Sequence, residues 1–190
     1  DMKDEGMVEV KNLSDVFLTK SEQNLPGTAI VATVEGTSTI LMEVQALTTH
    51  SYYNIPRRVA NGIDLNRLNM LIAVLEKRAG MMLGNQDIYL NLVGGIRVNE
   101  PSIDLGMIMA VASSFKNVAI PKDMVIIGEV GLTGEVRRIN LIDKRLKEAE
   151  KLGFKSCIIP ESNKKDLKET YKLDIISVSN INEAMKKIGL

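Results

Sequence analysis

Between Val98 and Ser114 the chain reads V-N-E-P-S-I-D-L-G-M-I-M-A-V-A-S-S, and this stretch holds a serine hydroxyl at 102 and a carboxylate at 104. A serine becomes a nucleophile when a neutral amine or imidazole takes its proton. Amines and a further carboxylate, Asp143, occur in L-I-D-K-R-L-K-E-A-E-K-L (141–152). Asp104 is the only charge inside its apolar run, and a carboxylate placed there needs a partner or a task. Brought together, Asp104 and Asp143 form an acidic pair able to face a cation, although two carboxylates without a third ligand make a poor site. The plainer reading makes the two aspartates a helix cap and a salt-bridge partner of Arg97 or Lys144.

A second set of residues suits nucleic acid. Arg57 and Arg58 follow Tyr52 and Tyr53 in T-H-S-Y-Y-N-I-P-R-R-V-A-N-G (49–62), which has no period and reads as a long surface loop. Guanidinium groups serve phosphate and rings serve base stacking; a solvated loop or a subunit contact is the alternative. Arg137 and Arg138, with Lys144 and Arg145 further on, form another basic group that charged surface paired with Glu135 or Glu148 equally explains. Lysine plus arginine equals aspartate plus glutamate at 24 each, so no global basic field exists and DNA binding rests on local clustering. His50 has no partner histidine or acid nearby in sequence and reads as a loop residue. Met81, Met82, Met107 and Met109 read as core filler. No G-x-x-x-x-G-K-[ST] or C-x-x-C occurs, so neither nucleotide phosphates nor zinc have a home in this stretch, and no metal site is expected. The single cysteine, Cys157 in S-C-I-I-P, reads as a small core residue and favours a reducing, cytoplasmic setting.

These residues must be positioned by a fold of 190 residues and 45% hydrophobic content, enough for one domain, or one domain with a short appended arm. Pro101 suits the first turn of a helix, and Ile103, Met107, Ala110 and Ser114 then recur at helical spacing. Gly106, Ala110, Ala112, Ser113 and Ser114 let another element press close. Residues 1–24 are polar and punctuated, with V-E-V at 8–10, a possible cap at Ser14 and the T-K-S-E-Q-N run; they read as a connector into a domain at 25–190. T-A-I-V-A-T-V and T-I-L-M-E-V-Q-A-L flank E-G-T-S as a hairpin. Asp64 can cap a helix carrying Leu65, Leu68, Ile72 and Leu75 and ending near Gly80, after Lys77 and Arg78. D-I-Y-L-N-L-V alternates as a strand; M-V-I-I-G-E-V-G-L-T-G-E-V reads as strand, turn, strand. A helix over 141–152 closed by Gly153, strand C-I-I-P, helix N-K-K-D-L-K-E, strand I-I-S-V and helix N-E-A-M-K-K-I complete an α+β or α/β order. No run approaches eighteen apolar residues, and no membrane association is expected. The opening on Asp1 reads as a piece cut from something longer.

E-P-S-I-D-L-G-M-I-M-A-V-A-S-S, G-E-V-G-L-T-G-E-V-R-R-I and R-L-K-E-A-E-K-L-G-F-K-S-C-I-I-P together resemble the proteolytic domain of the Lon family. More closely, the chain resembles the Lon-like C-terminal part of the RadA (Sms) family of bacterial DNA-repair and recombination ATPases. That likeness is carried by G-M-V-E-V-K-N-L-S-D-V-F-L (6–18), E-V-Q-A-L (43–47), P-R-R (56–58), V-L-E-K-R-A-G (74–80), N-Q-D-I-Y-L (85–90) and 104–114, and fades after about Pro160. The resemblance implies an α+β fold of the Lon proteolytic type (ribosomal protein S5 domain 2-like), a mixed sheet with packed helices. It places Asp104 at the position of the Lon nucleophilic serine and Asp143 at that of the catalytic lysine, so the dyad is absent. Ser102 lies two residues early, and Lys144 one residue late, about 100° around a helix. It further implies a ring homo-oligomer, a hexamer in the family, acting on single-stranded or branched DNA with a recombinase as a further partner. ATP, magnesium and zinc would then belong to upstream domains, and none to this stretch. The expectation is a catalytically inactive assembly platform with Arg57, Arg58, Arg137, Arg138 and Lys144 as DNA-contacting candidates. An active Ser/Lys peptidase using Ser102 or a misregistered serine, and a pure oligomerisation module, are the alternatives.

Overall fold

The computed structural model describes residues 2–3, 6–7, 14–18 and 24–190. The V-E-V stretch at 8–10 and residues 19–23 of the T-K-S-E-Q-N run lie outside them. Two-residue strands β1 (Met2–Lys3) and β2 (Gly6–Met7) pair antiparallel, and α1 (Ser14–Phe17) is one turn. The expected hairpin is present as β3 (Thr28–Glu35) and β4 (Ser38–His50), turning at Gly36 with φ 60°. It forms the middle of a seven-stranded sheet that also contains β5 (Arg58–Asn61), β6 (Gln86–Leu92), β7 (Met124–Ile126), β10 (Ser156–Pro160) and β11 (Asp174–Val178). The strand order is β11-β10-β7-β3-β4-β6-β5, with β3, β4 and β6 antiparallel neighbours and the outer pairs parallel.

Period-two alternation splits the sheet between two cores. Ala29, Val31, Ile40, Met42 and Val44 face one core; Ile30, Ala32 and Leu41 face the other. The first core is filled by α2 (Leu65–Ala79), α3 (Asp104–Lys116) and α6 (Ile181–Ile188), and the second by α4 (Ile142–Lys151). The Asp64 carboxylate caps α2 by accepting from Arg67 N at 2.9 Å, and Gly80 ends it in the left-handed region. Leu68, Ile72 and Leu75 are buried as their spacing predicts, but Leu65, at the open first turn, is largely exposed.

A 3₁₀ turn, Pro101–Ile103, leads directly into α3, which is buried from Asp104 through Ser113. The small residues let α3 lie on β3 and β4. A Cβ on Gly106 would overlap Val31 Cγ1, and Ser114 Oγ accepts from Thr48 N at 2.9 Å. A separate hairpin, β8 (Glu129–Val130) with β9 (Val136–Arg137), packs beside the start of α3.

Several expectations are corrected. The stretch 49–62 is not one loop: β4 continues to His50, and Arg58–Asn61 form an edge strand parallel to β6, anchored by Ile88 N donating to Arg57 O at 2.9 Å. His50 is therefore the last residue of a strand, edge-on to the Tyr52 ring. N-K-K-D-L-K-E is not a helix; α5 is one turn, Glu161–Lys164, and ends where Asn163 is buried bonding both backbone groups of Ile139. Met81, Met107 and Met109 are core residues, but Met82 projects into solvent. Cys157 is fully buried, and burial pushes its thiol well up.

Candidate functional site

Asp104 begins α3 at 1% side-chain exposure, where the positive end of the helix favours a carboxylate. Its partner is neither Arg97 nor Lys144. Arg67, three residues into α2, donates Nε to Asp104 Oδ1 at 3.0 Å and Nη2 to Oδ2, a two-point grip suited to guanidinium and carboxylate. Val130 N also donates to Oδ2 at 3.1 Å, and Arg67 Nη2 donates to Val130 O at 3.1 Å. The β8 hairpin, α2 and α3 therefore meet at one charged point. Burial pushes the Asp104 carboxyl upward, and the Arg67 and Val130 bonds oppose it; the bond to Asp104 in turn raises Arg67. Arg97 instead stands 3.9 Å from Asp64.

Ser102 is 2% exposed and already committed. Its Oγ donates to Ala32 O at 3.3 Å and accepts from Arg145 Nη1 at 3.0 Å. Arg145 is the largest unexpected residue: it is not charged surface paired with Glu135 or Glu148 but 1% exposed, bonded to Ala32 O, Ser102 Oγ and both oxygens of Glu100. Glu100 Oε2 also accepts from Thr33 Oγ1 at 2.8 Å and Val34 N at 2.9 Å. Burial works to raise Glu100, but Arg145, Val34 and Thr33 outweigh it and hold the carboxyl below its ordinary value. A guanidinium never serves as a base near neutral pH, so the group nearest Ser102 cannot activate it. Between these two clusters lies a cleft of about 220 Å³ bordered by Asp64, Arg67, Asn99, Glu100, Asp104 and Met107.

Asp143 does not share a partner with Asp104. It leaves α4 toward the segment after α5, accepting from Tyr171 Oη at 2.5 Å and Lys168 N at 3.2 Å. Burial works upward on Asp143, but these two bonds win and lower it, while burial and the Asp143 bond push the Tyr171 hydroxyl up. Among the described residues no three His, Cys, Asp or Glu side chains gather as a metal-binding group.

The basic candidates differ in what occupies them. Arg57 lies with its guanidinium 4.3 Å from the Tyr53 ring centre, beside Tyr52, which is 90% exposed. Arg58 is turned back onto its own sheet, donating to Leu83 O at 2.9 Å and to Gln86 O, and burial lowers its pKa. Arg137 pairs with Glu135 at 2.6 Å and Glu129 at 3.6 Å, and Arg138 with Asp166 at 3.1 Å. The Thr133 hydroxyl, with further help from Arg137, holds Glu135 down at about 2. No ion pair involving Lys144 exists among the described residues. Arg67 and Glu100 escaped sequence reasoning: Arg67 reads as the polar face of an amphipathic helix, and Glu100 as an ordinary residue before a proline.

The sequence matches the Lon protease (S16) C-terminal proteolytic domain over residues 74–189. The DNA repair protein RadA of Halalkalibacterium halodurans is 47% identical over 186 residues, covering 98% of this chain and 41% of that protein. The RadA proteins of Bacillus subtilis (46%, covering 98% and 41%) and Streptococcus pneumoniae (43%, covering 99% and 45%) are similar in the same way. The chain thus spans less than half the length of these relatives. The matched stretch contains α3, α4 and both positions at issue, Asp104 and Asp143. With its α+β fold on a mixed sheet, the chain belongs to the Lon (S16) C-terminal proteolytic-domain family, as the Lon-like C-terminal domain type of RadA proteins.

Proposed function

We propose that this chain is a non-proteolytic Lon-like domain of a longer DNA repair protein, serving as a ring-assembly platform with a DNA-contacting loop. The observation that carries the first part is the Arg67–Asp104 grip, together with Asp143 turned to Tyr171 and Lys168: the positions matching the Lon dyad hold two aspartates engaged with different partners. Neither offers a nucleophilic hydroxyl or a neutral amine. Ser102, the alternative nucleophile, is buried and bonded to a permanent cation. The test is hydrolysis of unfolded casein by the purified chain and its Ser102→Ala variant. No hydrolysis by either is expected; turnover lost in Ser102→Ala overturns the reading in favour of a peptidase.

The DNA reading rests on the relatives being named DNA repair proteins and on the exposed loop between β4 and β5. Arg57 stacked on Tyr53, with Tyr52 outward, offers a cation for phosphate and rings for bases. Lys144 is the second candidate; Arg58, Arg137 and Arg138 already serve other bonds. In a ring each weak contact is repeated, so a small cationic site in a chain of net charge +0 gains avidity. Arg57→Ala in the full-length protein is expected to weaken DNA binding and to shallow its salt dependence by roughly one charge per site. Unchanged affinity across salt removes the loop from the DNA path. Light scattering across concentration reads assembly directly: a ring-sized species supports the platform, and a monomer at all concentrations of the full-length protein rejects it.

The ATPase activity, ATP, magnesium and zinc belong in this proposal to upstream domains, and a recombinase is proposed as a further partner of the whole protein. The described residues contain no helix long and apolar enough to cross a membrane; a cytoplasmic setting is proposed on the single buried thiol.

A further inference from the structure

The sheet has an unusual margin where β6 stops. β6 pairs with β4 only as far as Leu92 opposite Val44, so among the described residues no strand lies on that side of the β4 residues before Glu43. Their outward N–H groups still require acceptors, because a buried unpaired donor costs stability. Val93 N, just past the strand, reaches Glu43 O at 2.9 Å, and the next outward donor, Leu41 N, is met by Ser14 Oγ at 3.1 Å. The α1 turn thus continues the edge that β6 abandons.

The last residue of α1 and the one after it straddle that edge. Phe17 is buried in the core that contains α2 and α3, and Leu18 packs against the opposite core that contains α4. The Phe17 ring lies on the bare backbone of Gly94; a Cβ there would overlap Phe17 Cδ1 and Cε1, and Gly94 has φ 106°, a conformation side chains avoid. Gly94 begins the segment whose later members include Val98, with N bonded to Gly62 O at 2.9 Å, and Glu100, the partner of Arg145.

We infer that residues 14–18 form a docked strap, seated on the margin of β4 beyond the end of β6 and on Gly94, whose seating holds the 93–100 segment and hence the Glu100 side of the cleft. This is independent of the proposed function: it concerns how chain entering the domain is coupled to the cleft, whatever the cleft and the β4–β5 loop do. Phe17 and Ser14 are positioning residues acting through Gly94 and Leu41. The strap differs from ordinary core because its contacts join a short local segment to one margin of the sheet, and such segments open without global unfolding.

Amide hydrogen exchange on residues 1–190 tests this. In Phe17→Ala, exchange at Leu41, Val93 and Val98 is expected to accelerate at least about tenfold, while Ile127 N–H, bonded to Ile158 O at 3.0 Å in the sheet, keeps its wild-type rate. Phe17→Leu should restore most of the protection. Ser14→Ala removes the acceptor of Leu41 N and should accelerate Leu41. Gly94→Ala, which denies the ring its seat, should accelerate Leu41 although that residue is remote in sequence. The inference is overturned if Phe17→Ala leaves Val93 and Val98 unchanged, or if every amide including Ile127 accelerates equally. If Phe17→Ala does not fold, unchanged Leu41 exchange in both Ser14→Ala and Gly94→Ala overturns it by the same measure.

Discussion

Arg67 and Asp104 lie 37 residues apart in sequence and meet through both Nε and Nη2 of the guanidinium, at the first turn of the helix that forms the centre of the domain. Asp104 is buried and Arg67 mostly so. Breaking such a pair from one side strands a charge, whereas replacing both partners by apolar groups does not. Arg67→Ala is therefore expected to cost about 3 kcal/mol or more in urea unfolding, and Asp104→Leu a similar amount. The double variant Arg67→Met with Asp104→Leu should lose clearly less than the sum. Additive losses would mean that the grip carries no coupling and that each residue acts by packing alone.

How much of this was legible in the sequence depends on the range of the interaction. The α3 helix, the β3–β4 hairpin and the caps at Asp64 and Gly80 follow from spacing and turn chemistry within a few residues. Asp104 could be recognised as a carboxylate in need of a partner, because its own run is apolar. Its partner could not be named, since Arg67 reaches it only through the packing of α2 on α3. Arg145 looked like one charge among several in K-R-L-K-E; only the descent of α4 onto β3 turns it inward to Ala32 and Glu100. The β5 strand was missed because four residues, R-V-A-N, show no alternation of their own and pair only with the already formed β6.

Glu100 makes acid stability measurable. Its carboxyl is held below the ordinary value of 4.5 in the folded chain, burial opposing and Arg145, Val34 and Thr33 prevailing. A lowered folded value means that the unfolded chain binds the proton first. The stabilisation is then fully present above the ordinary value and is lost as pH falls through the lowered one. Wild type should accordingly exceed Glu100→Gln in urea midpoint at pH 7, with the gap closing as pH falls from the ordinary value through the lowered one. A gap constant over that range would show that Glu100 contributes by shape and not by charge.

Gly106 lies where α3 crosses β3, and a methyl group there meets Val31 Cγ1 inside the larger core. Helix propensity alone favours alanine by close to 1 kcal/mol. Overpacking works the other way, typically by about 1–3 kcal/mol, and here both elements are held at the middle of the sheet. Gly106→Ala should therefore lower the thermal midpoint, and adding Val31→Ala should recover part of the loss. A stabilised single variant would mean that α3 can shift on β3 at little cost.

The last prediction concerns the two aspartates that the resemblance to Lon places at the dyad positions. Installing a serine by Asp104→Ser supplies a hydroxyl but removes the carboxylate that grips Arg67, leaving a cation beside the new nucleophile and no amine to take its proton. Adding Asp143→Lys does not repair this. The side chain at 143 leaves α4 toward Tyr171 and Lys168 N, so the new ammonium projects to the far segment and not to α3. Both variants should show no casein hydrolysis and no labelling of position 104 by a serine-directed phosphonylating reagent. Both should also be less stable than wild type, by an amount comparable to Arg67→Ala. Labelling at 104 in the double variant alone would show that α4 turns far enough to rebuild the dyad, and that the aspartates by themselves hold the domain silent.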